Sequence, residues 1–173
     1  MKNVAEILET EEKYKKLLVA KFSGDDRLLL TCPEFKYPEP AFVYIKSVKT
    51  DKTIAVRLDG VDNTMRFWDY VDDDYSEEDG VWDKMTDKGL ESFVSKLYSV
   101  MERAVDIELY GSDGECDDYY SGVFDKEFTP ENACKAVKKF GKDKDFAFAK
   151  FCNFYGDVKF VFDRAFKLVK RNF

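Results

Sequence analysis

The sequence predicts an α+β fold, in which an N-terminal helix and an antiparallel β-meander with a central amphipathic helix precede an all-helical C-terminal part. Apolar residues recur at helical spacing in 3–22, in 86–105 and after 128, whereas β-branched and aromatic runs separated by short turns occupy 27–71. At 173 residues and 45% apolar composition, the chain is long enough to bury a core without a disulfide or a metal. We expect an α+β domain over 1–128 and a helical subdomain over 129–173, packed together as one folding unit.

The first part of the chain begins with a helix and continues as strands. In 3–22 the apolar residues share one helical side, although Glu11 interrupts it. These residues are Val4, Ile7, Leu8, Tyr14, Leu18 and Phe22. Further along, β-branched and aromatic runs predict three or four strands, and three prolines hold the stretch between the first two as an extended loop. The predicted strands are 27–32, 41–48, 53–58 and 65–71, with a hairpin turn at 49–52 and a polar loop at 72–85.

The middle of the chain contains the clearest amphipathic helix. Thr86 and Asp87 are suitable N-cap residues, and a broad apolar stripe follows them. The stripe comprises Leu90, Phe93, Val94, Leu97, Met101, Ala104 and Val105. Two further strands are predicted over 105–110 and 119–125, joined by the polar residues 111–118.

The last 45 residues predict three helices. The first begins at Thr129-Pro130, because proline suits the first helical position, and ends at Gly141. The second covers 144–155. The third begins after Asp157, where apolar residues through Phe173 fall within about 140° of arc at 100° per residue.

Several classes of catalytic and metal site are excluded by composition and motif. The chain has no histidine, which removes Ser-His-Asp and Cys-His catalysis and histidine-ligated zinc. No glycine-rich phosphate loop is present. The acidic run starting at Asp72 resembles a calcium loop in spacing, but Glu77 stands where an EF-hand requires glycine. We therefore expect no catalytic residues, no metal, no cofactor and no enzymatic activity.

Charge is strongly segregated along the chain. Residues 59–131 contain 22 acidic and 6 basic residues, a net charge of −16. Residues 1–58 carry +2 and residues 132–173 carry +7, so the overall charge of −7 conceals an acidic middle and a basic end.

Two acidic clusters with interleaved aromatic residues dominate the middle of the chain. Carboxylates at this density repel one another unless a cation or a basic partner relieves them, and Trp and Tyr are common interface anchors. We expect these clusters to contact a basic protein surface, the alternative being solvated loops that confer solubility. The predicted partner-binding residues are Asp69, Asp72, Asp73, Asp74, Glu77, Glu78, Asp79, Trp82 and Asp83 in the first cluster, and Asp113, Glu115, Asp117, Asp118 and Tyr119 in the second.

The predicted final helix offers an alternative, basic surface. Its polar side would carry five cationic residues with an aromatic ring among them, which is suited to stacking on a base, to docking a partner or to covering a neighbouring element. The basic helices could also face the acidic clusters within the molecule. This alternative basic face comprises Lys159, Phe160, Arg164, Lys167, Lys170 and Arg171.

The segregated charge favours a non-enzymatic binding protein. We expect an inhibitor or adaptor that presents its acidic, aromatic-flanked surface to a basic groove, where it would mimic nucleic acid against a nuclease or other nucleic-acid-processing enzyme. Anti-nuclease, anti-CRISPR and immunity proteins of phages and mobile elements use this device, which is an analogy and not a family match. The alternatives are a nucleic-acid-binding module that uses the basic C-terminal helices, a carboxylate- or metal-dependent enzyme, and a scaffold.

The expected compartment is the cytoplasm. The first residues lack the apolar region of a secretory signal, and the longest apolar runs, such as 41–45, are far shorter than the ~20 residues that span a bilayer. The four cysteines form no CxxC pair, which is typical of reduced thiols. We expect no membrane partner.

Overall fold

The computed structural model describes residues 2–50, 52–67, 81–102, 104–120 and 129–171. Within these ranges the chain forms three helices and ten strands, and the strands make two antiparallel sheets. The described residues divide into two compact units between Val100 and Met101, inside the last turns of the second helix.

The first unit is a helix-covered meander. Its elements are α1 (Val4–Phe22), β1 (Leu28–Thr31), β2 (Ala41–Ser47), β3 (Thr53–Asp59), β4 (Thr64–Phe67), β5 (Val81–Lys84) and α2 (Asp87–Glu102). Neighbouring strands pair in the order β1-β2-β3-β4-β5, which we call sheet 1. The predicted meander is confirmed. It gains β5, which lies in the stretch that the sequence predicted to be a loop.

Local sequence explains why α1 begins where it does and which side it buries. The Asn3 side chain accepts a hydrogen bond from the Glu6 amide at 2.9 Å, and the Glu6 carboxylate accepts one from the Asn3 amide at 3.0 Å, a complete capping box. The buried residues of α1 follow helical spacing and pack on the apolar face of sheet 1, where alternate residues of β2 and β3 are buried. These helix residues are Ile7, Glu11, Tyr14, Leu18 and Phe22.

Glu11, which interrupts the apolar side of α1 in the sequence, is buried because it closes the β3–β4 turn. Its Oε1 accepts a hydrogen bond from the Gly60 amide at 2.7 Å. A Cβ atom at Gly60 would lie 2.7 Å from the Ile7 carbonyl oxygen, so only glycine permits the helix to come this close. Burial raises the pKa of Glu11, although the Gly60 hydrogen bond acts in the opposite direction.

The second unit is a five-stranded sheet with a helix on its apolar face. Its elements are β6 (Ala104–Tyr110), β7 (Cys116–Tyr120), α3 (Pro130–Gly141), β8 (Phe148–Asn153), β9 (Val158–Asp163) and β10 (Leu168–Arg171). The strand order is β10-β9-β8-β6-β7, which we call sheet 2. Ala133 and Val137 of α3 join the buried residues of β6, β8 and β9 in one hydrophobic core.

The predicted all-helical C-terminal part is wrong. Residues 144–155 and the residues after Asp157, both predicted as helices, contain β8, β9 and β10 instead. In β9, Phe160 and Phe162 are buried and Val161 between them is half-buried, which is the two-residue alternation of a strand. Because Val158, Val161 and Phe162 also satisfy helical spacing, the apolar pattern alone did not separate the two possibilities.

Two tight turns decide the outcome in favour of strands. Between β8 and β9, Gly156 adopts a φ of 78°, and the Asn153 side chain accepts a hydrogen bond from the Asp157 amide at 2.8 Å. Between β9 and β10, the Asp163 carboxylate accepts hydrogen bonds from the Ala165 and Lys167 amides, both at 2.9 Å. Each turn reverses the chain, so aromatic and β-branched segments pair side by side.

The start of α3 was predicted correctly and yields a test. The Thr129 Oγ1 accepts a hydrogen bond from the Asn132 amide at 3.2 Å, and Pro130 occupies the first helical position. We expect Thr129→Ala to lower the free energy of unfolding of the second unit by about 1 kcal/mol, because one amide of the first turn loses its acceptor. Thr129→Ser keeps the hydroxyl acceptor and should lower the free energy of unfolding by less than half as much, as measured by urea denaturation. Equal costs would show that the cap contributes nothing.

None of the helices in the described ranges combines the length and the apolar character that crossing a membrane requires.

Candidate partner-binding surface

Most of the first acidic cluster lies outside the described residues. This holds for Asp69, Asp72, Asp73, Asp74, Glu77, Glu78 and Asp79. Its two remaining members, Trp82 and Asp83, belong to β5.

These two β5 residues differ in how far they are available to a partner. Trp82 is 52% exposed. Asp83 forms an ion pair with Lys96 of α2, with 2.7 Å between Oδ2 and Nζ. Burial acts to raise the pKa of Asp83, but the hydrogen bonds from Lys96 and Ser92 and the charge of Lys96 outweigh it and lower the pKa. Asp83 therefore joins β5 to α2, and Trp82 is the exposed residue of the pair.

The second acidic cluster lies within the described residues and forms a hydrogen-bonded hairpin. We call residues 111–119, which connect β6 to β7 and continue along β7, the acidic hairpin. The Gly111 amide donates to the Glu115 carbonyl at 3.0 Å, and the Gly114 amide donates to the Gly111 carbonyl at 3.1 Å. Gly114 has a φ of 83°, and the Asp113 carboxylate accepts from the Glu115 amide at 3.0 Å. These bonds fix the backbone of the turn and the Asp113 carboxylate.

Three carboxylates of the acidic hairpin are directed to solvent and a fourth is engaged. Asp113, Glu115 and Asp117 are exposed. Asp118 forms an ion pair with Lys144, the residue that follows the turn after α3, with 3.2 Å between Oδ1 and Nζ. Since both side chains are partly exposed, this pair contributes only a few tenths of a kcal/mol. A β-bulge between Leu109 and Tyr110 leaves Asp117 without a partner residue across the strand pair.

Aromatic side chains flank the acidic hairpin on the face of sheet 2 that is opposite the core. Tyr119 is 48% exposed and lies opposite Glu108 of β6. The Tyr110 hydroxyl donates to Glu108 Oε2 at 2.6 Å, and its ring stacks on Phe148 at 5.0 Å between centroids and 7° between planes. Burial, followed by the Glu108 hydrogen bond, raises the pKa of Tyr110, so its phenol stays protonated and donates.

Cys116, at the start of β7, is exposed but is not an activated nucleophile. Burial of the thiol and the nearby charges of Glu108 and Asp117 raise its pKa. A raised pKa lowers the thiolate fraction at neutral pH, and the thiolate is the reactive form. The acidic hairpin is therefore suited to contact and not to covalent chemistry.

The predicted basic helical face does not exist as such. Lys159 and Phe160 belong to β9, Lys170 and Arg171 belong to β10, and Arg164 and Lys167 lie in the turn between these strands. Phe160 is only 2% exposed and packs edge-to-face against Phe151, with ring centroids 6.4 Å apart. The aromatic residue of the predicted face is thus part of the core, because alternate residues of a strand point to opposite sides.

The register of the strands in sheet 1 brings together a further group of candidate functional residues, which was not identified from the sequence. Phe42, Arg57, Arg66 and Trp82 belong to four consecutive strands of sheet 1 and stand opposite one another in register. The β-branched and aromatic character of β2 and β3 was readable in the sequence. The pairing that places Arg57 beside Arg66 was not.

Within the described part of the chain, no group of three or more Cys, Asp and Glu side chains is placed to hold a metal ion. Comparisons of the chain with protein-family models, with curated proteins and with solved structures found no significant match.

Proposed function

We propose that this protein is a non-enzymatic inhibitor or adaptor that binds a basic protein surface through its acidic clusters. The observation that carries the proposal is the acidic hairpin, where three exposed carboxylates and the half-exposed Tyr119 stand side by side on an ordered turn and strand. Interfaces combine aromatic anchors with charges that match the partner, and charge complementarity mainly sets association rate and specificity.

The position of the hairpin supports this use. Within the described strands β7 is the last of sheet 2, so one edge of the strand has no neighbour in that sheet. Edge strands can add a partner strand, and carboxylates on such a strand select a basic partner. The same carboxylates could instead serve only to keep edge strands from pairing with each other. That alternative predicts aggregation, and no loss of partner binding, when the charges are removed.

The partner class that fits is an enzyme with a basic groove for nucleic acid. A dense array of carboxylates can occupy such a groove with fast, salt-sensitive association. The nucleic-acid-binding role assigned to the basic C-terminal helices is not retained, because the residues of the predicted basic face lie in β9, β10 and the turn between them. We place the protein in the cytoplasm. The four cysteines, all in the described part of the chain, form no disulfide with one another, which fits a reducing compartment.

The test removes charge without changing shape. We expect Asp113→Asn/Glu115→Gln/Asp117→Asn to weaken binding to the partner at least tenfold, about 1.4 kcal/mol, because three complementary charges are lost. The turn should persist, since the side-chain oxygen that Asp113→Asn retains can still accept from the Glu115 amide. The matched control, Glu9→Gln/Glu34→Gln/Glu39→Gln, removes the same charge from exposed residues of the first unit and should bind within about twofold of wild type. The partner is obtained by affinity capture with the wild-type chain from its source cells, and its affinity for each variant is then measured by calorimetry.

A parallel variant tests the first cluster. If Asp72→Lys/Asp73→Lys/Asp74→Lys abolishes binding and the hairpin variant does not, the contact belongs to the first cluster. If both variants bind as wild type does, neither acidic cluster is the interface and the proposed function is wrong.

A further inference from the structure

Sheet 1 carries a row of side chains on the face opposite its buried core. By register, Phe42 of β2 faces Arg57 of β3, Arg57 faces Arg66 of β4, and Arg66 faces Trp82 of β5. In β2 and β3 these positions alternate with buried residues, so the side chains project from the other face. We call these four residues the arginine row.

The two central arginines are an unfavourable pair in isolation. Like charges placed directly opposite each other on adjacent strands destabilise a sheet. Arg57 is offset by Asp59, with 2.8 Å between the guanidinium and Oδ2, and Arg66 by the more distant Asp62, at 3.6 Å. Among the described residues, the buried Nε of Arg57 has no hydrogen-bond acceptor. The carboxylates beside the row therefore satisfy the two guanidinium groups only in part.

The charge of this face is opposite to that of the chain as a whole. The described strands of sheet 1 place four cationic side chains on it, opposed by Asp59 and by Asp62 of the β3–β4 turn, a net of +2, while the whole chain carries −7. The cationic residues are Lys46, Arg57, Arg66 and Lys84. A local excess of positive charge on an acidic protein favours an anionic ligand at that face.

Aromatic rings lie on the same face and at both ends of the row. The Phe42 and Tyr44 rings are stacked, with centroids 6.0 Å apart and 17° between their planes. At the other end, Trp82 is 52% exposed. Arg57 and Arg66 lie between these rings, and their side chains are 35% and 29% exposed.

We propose that the arginine row binds single-stranded nucleic acid. Guanidinium groups bind phosphate oxygens through two parallel hydrogen bonds, and exposed aromatic rings stack on unpaired bases. Four strands spaced about 4.8 Å apart make a platform about 14 Å wide. Such an open sheet with aromatic residues suits splayed single-stranded bases, whereas the bases of a duplex are already stacked on each other. An acidic peptide would use the arginines but not the aromatic rings, and it is the competing ligand in the test.

This inference is independent of the proposed function. It concerns a basic face of the first unit, whereas the acidic hairpin that carries the proposed function belongs to the second unit. Trp82 is the one residue that the arginine row shares with the first acidic cluster. Either can fail without the other, because the variants that test them share no residue.

The experiment measures fluorescence anisotropy of labelled single strands of about ten nucleotides, DNA and RNA, with the intact chain at low salt. We expect Arg57→Gln/Arg66→Gln to weaken binding at least tenfold. The control Lys36→Gln/Lys49→Gln removes the same charge from exposed residues of two loops and should stay within about twofold of wild type. Binding that survives in the arginine variant, or an absence of binding by the wild-type chain to both strands, overturns the proposal.

A second variant guards against misfolding of the arginine variant. Trp82→Ala changes a residue that is half exposed, and loss of one stacked base should weaken binding about fivefold or more. Binding should also quench tryptophan fluorescence in the wild type and much less in Trp82→Phe. Unchanged affinity in Trp82→Ala, or binding of a poly-glutamate peptide as tight as that of the oligonucleotides, contradicts the assignment to nucleic acid.

Discussion

Phe151→Ala should lower the free energy of unfolding of the second unit by about 3–5 kcal/mol, the largest effect expected of any change proposed for this chain. Phe151 is fully buried in β8 and packs edge-to-face on Phe160 and Phe162, with centroids 6.4 and 5.7 Å away. Its removal leaves a cavity among rings that α3 and the sheet hold in place, so the loss includes both burial and packing.

Phe148→Ala is the matched control, since it makes the same change in the same strand on the opposite face. Phe148 is half-buried and stacks on Tyr110, so we expect a cost of about 1–2 kcal/mol. Urea unfolding followed by circular dichroism, with hydrogen exchange over 148–163, compares the two. If 144–155 were a helix with both rings inward, the two variants would cost about the same, and that result would contradict the strand assignment.

Glu11→Ala should destabilise the first unit by about 1–3 kcal/mol, because the buried Gly60 amide would lose its acceptor. Gly60 is buried under α1, so water does not readily replace the carboxylate. Chemical denaturation monitored by circular dichroism gives the value. A cost below about 0.5 kcal/mol would show that the hydrogen bond adds nothing measurable.

Glu11→Gln separates the hydrogen bond from the charge. The amide oxygen still accepts from Gly60, so the large loss seen with alanine should be absent. Because burial raises the pKa of Glu11 in the folded state, ionisation opposes folding. Below the ordinary glutamate pKa this group carries no penalty, and the penalty grows as pH rises through the raised folded value. Wild type should therefore lose stability relative to Glu11→Gln as pH rises through that window, and a relative gain would contradict the assignment.

Sequence patterns predicted an element correctly where they were compatible with only one type of secondary structure. Strands β2 and β3 are rich in β-branched and aromatic residues and flank a polar turn, α1 keeps helical spacing up to the break at Ser23-Gly24, and α3 begins at Thr129-Pro130. These elements were therefore predicted close to their observed ends. The C-terminal strands were missed because Val158, Val161 and Phe162 satisfy helical spacing, whereas Phe160 and Phe162 satisfy strand spacing. The deciding signals were local turn residues, Gly156 and Asp163, whose effect depends on backbone conformation.

The sequence predicted the candidate site only through the local density of acidic residues. Local charge density identified Asp113, Glu115 and Asp117, which the structure places on an ordered hairpin. It did not show that Asp83 and Asp118 are engaged in ion pairs, because Lys96 and Lys144 are 13 and 26 residues away in sequence. Strand register between β3 and β4, which brings Arg57 beside Arg66, is likewise a long-range property.

We propose that exposed carboxylates of this chain recognise a basic partner, and the salt dependence of the affinity is the decisive measurement. The dissociation constant of the captured partner is measured between about 0.05 and 0.5 M salt for wild type and for Asp113→Asn/Glu115→Gln/Asp117→Asn. We expect the wild-type affinity to fall steeply as the salt concentration rises, and the affinity of the variant, already weaker, to fall less steeply. An affinity that salt leaves unchanged, or equal slopes for the two proteins, would contradict it.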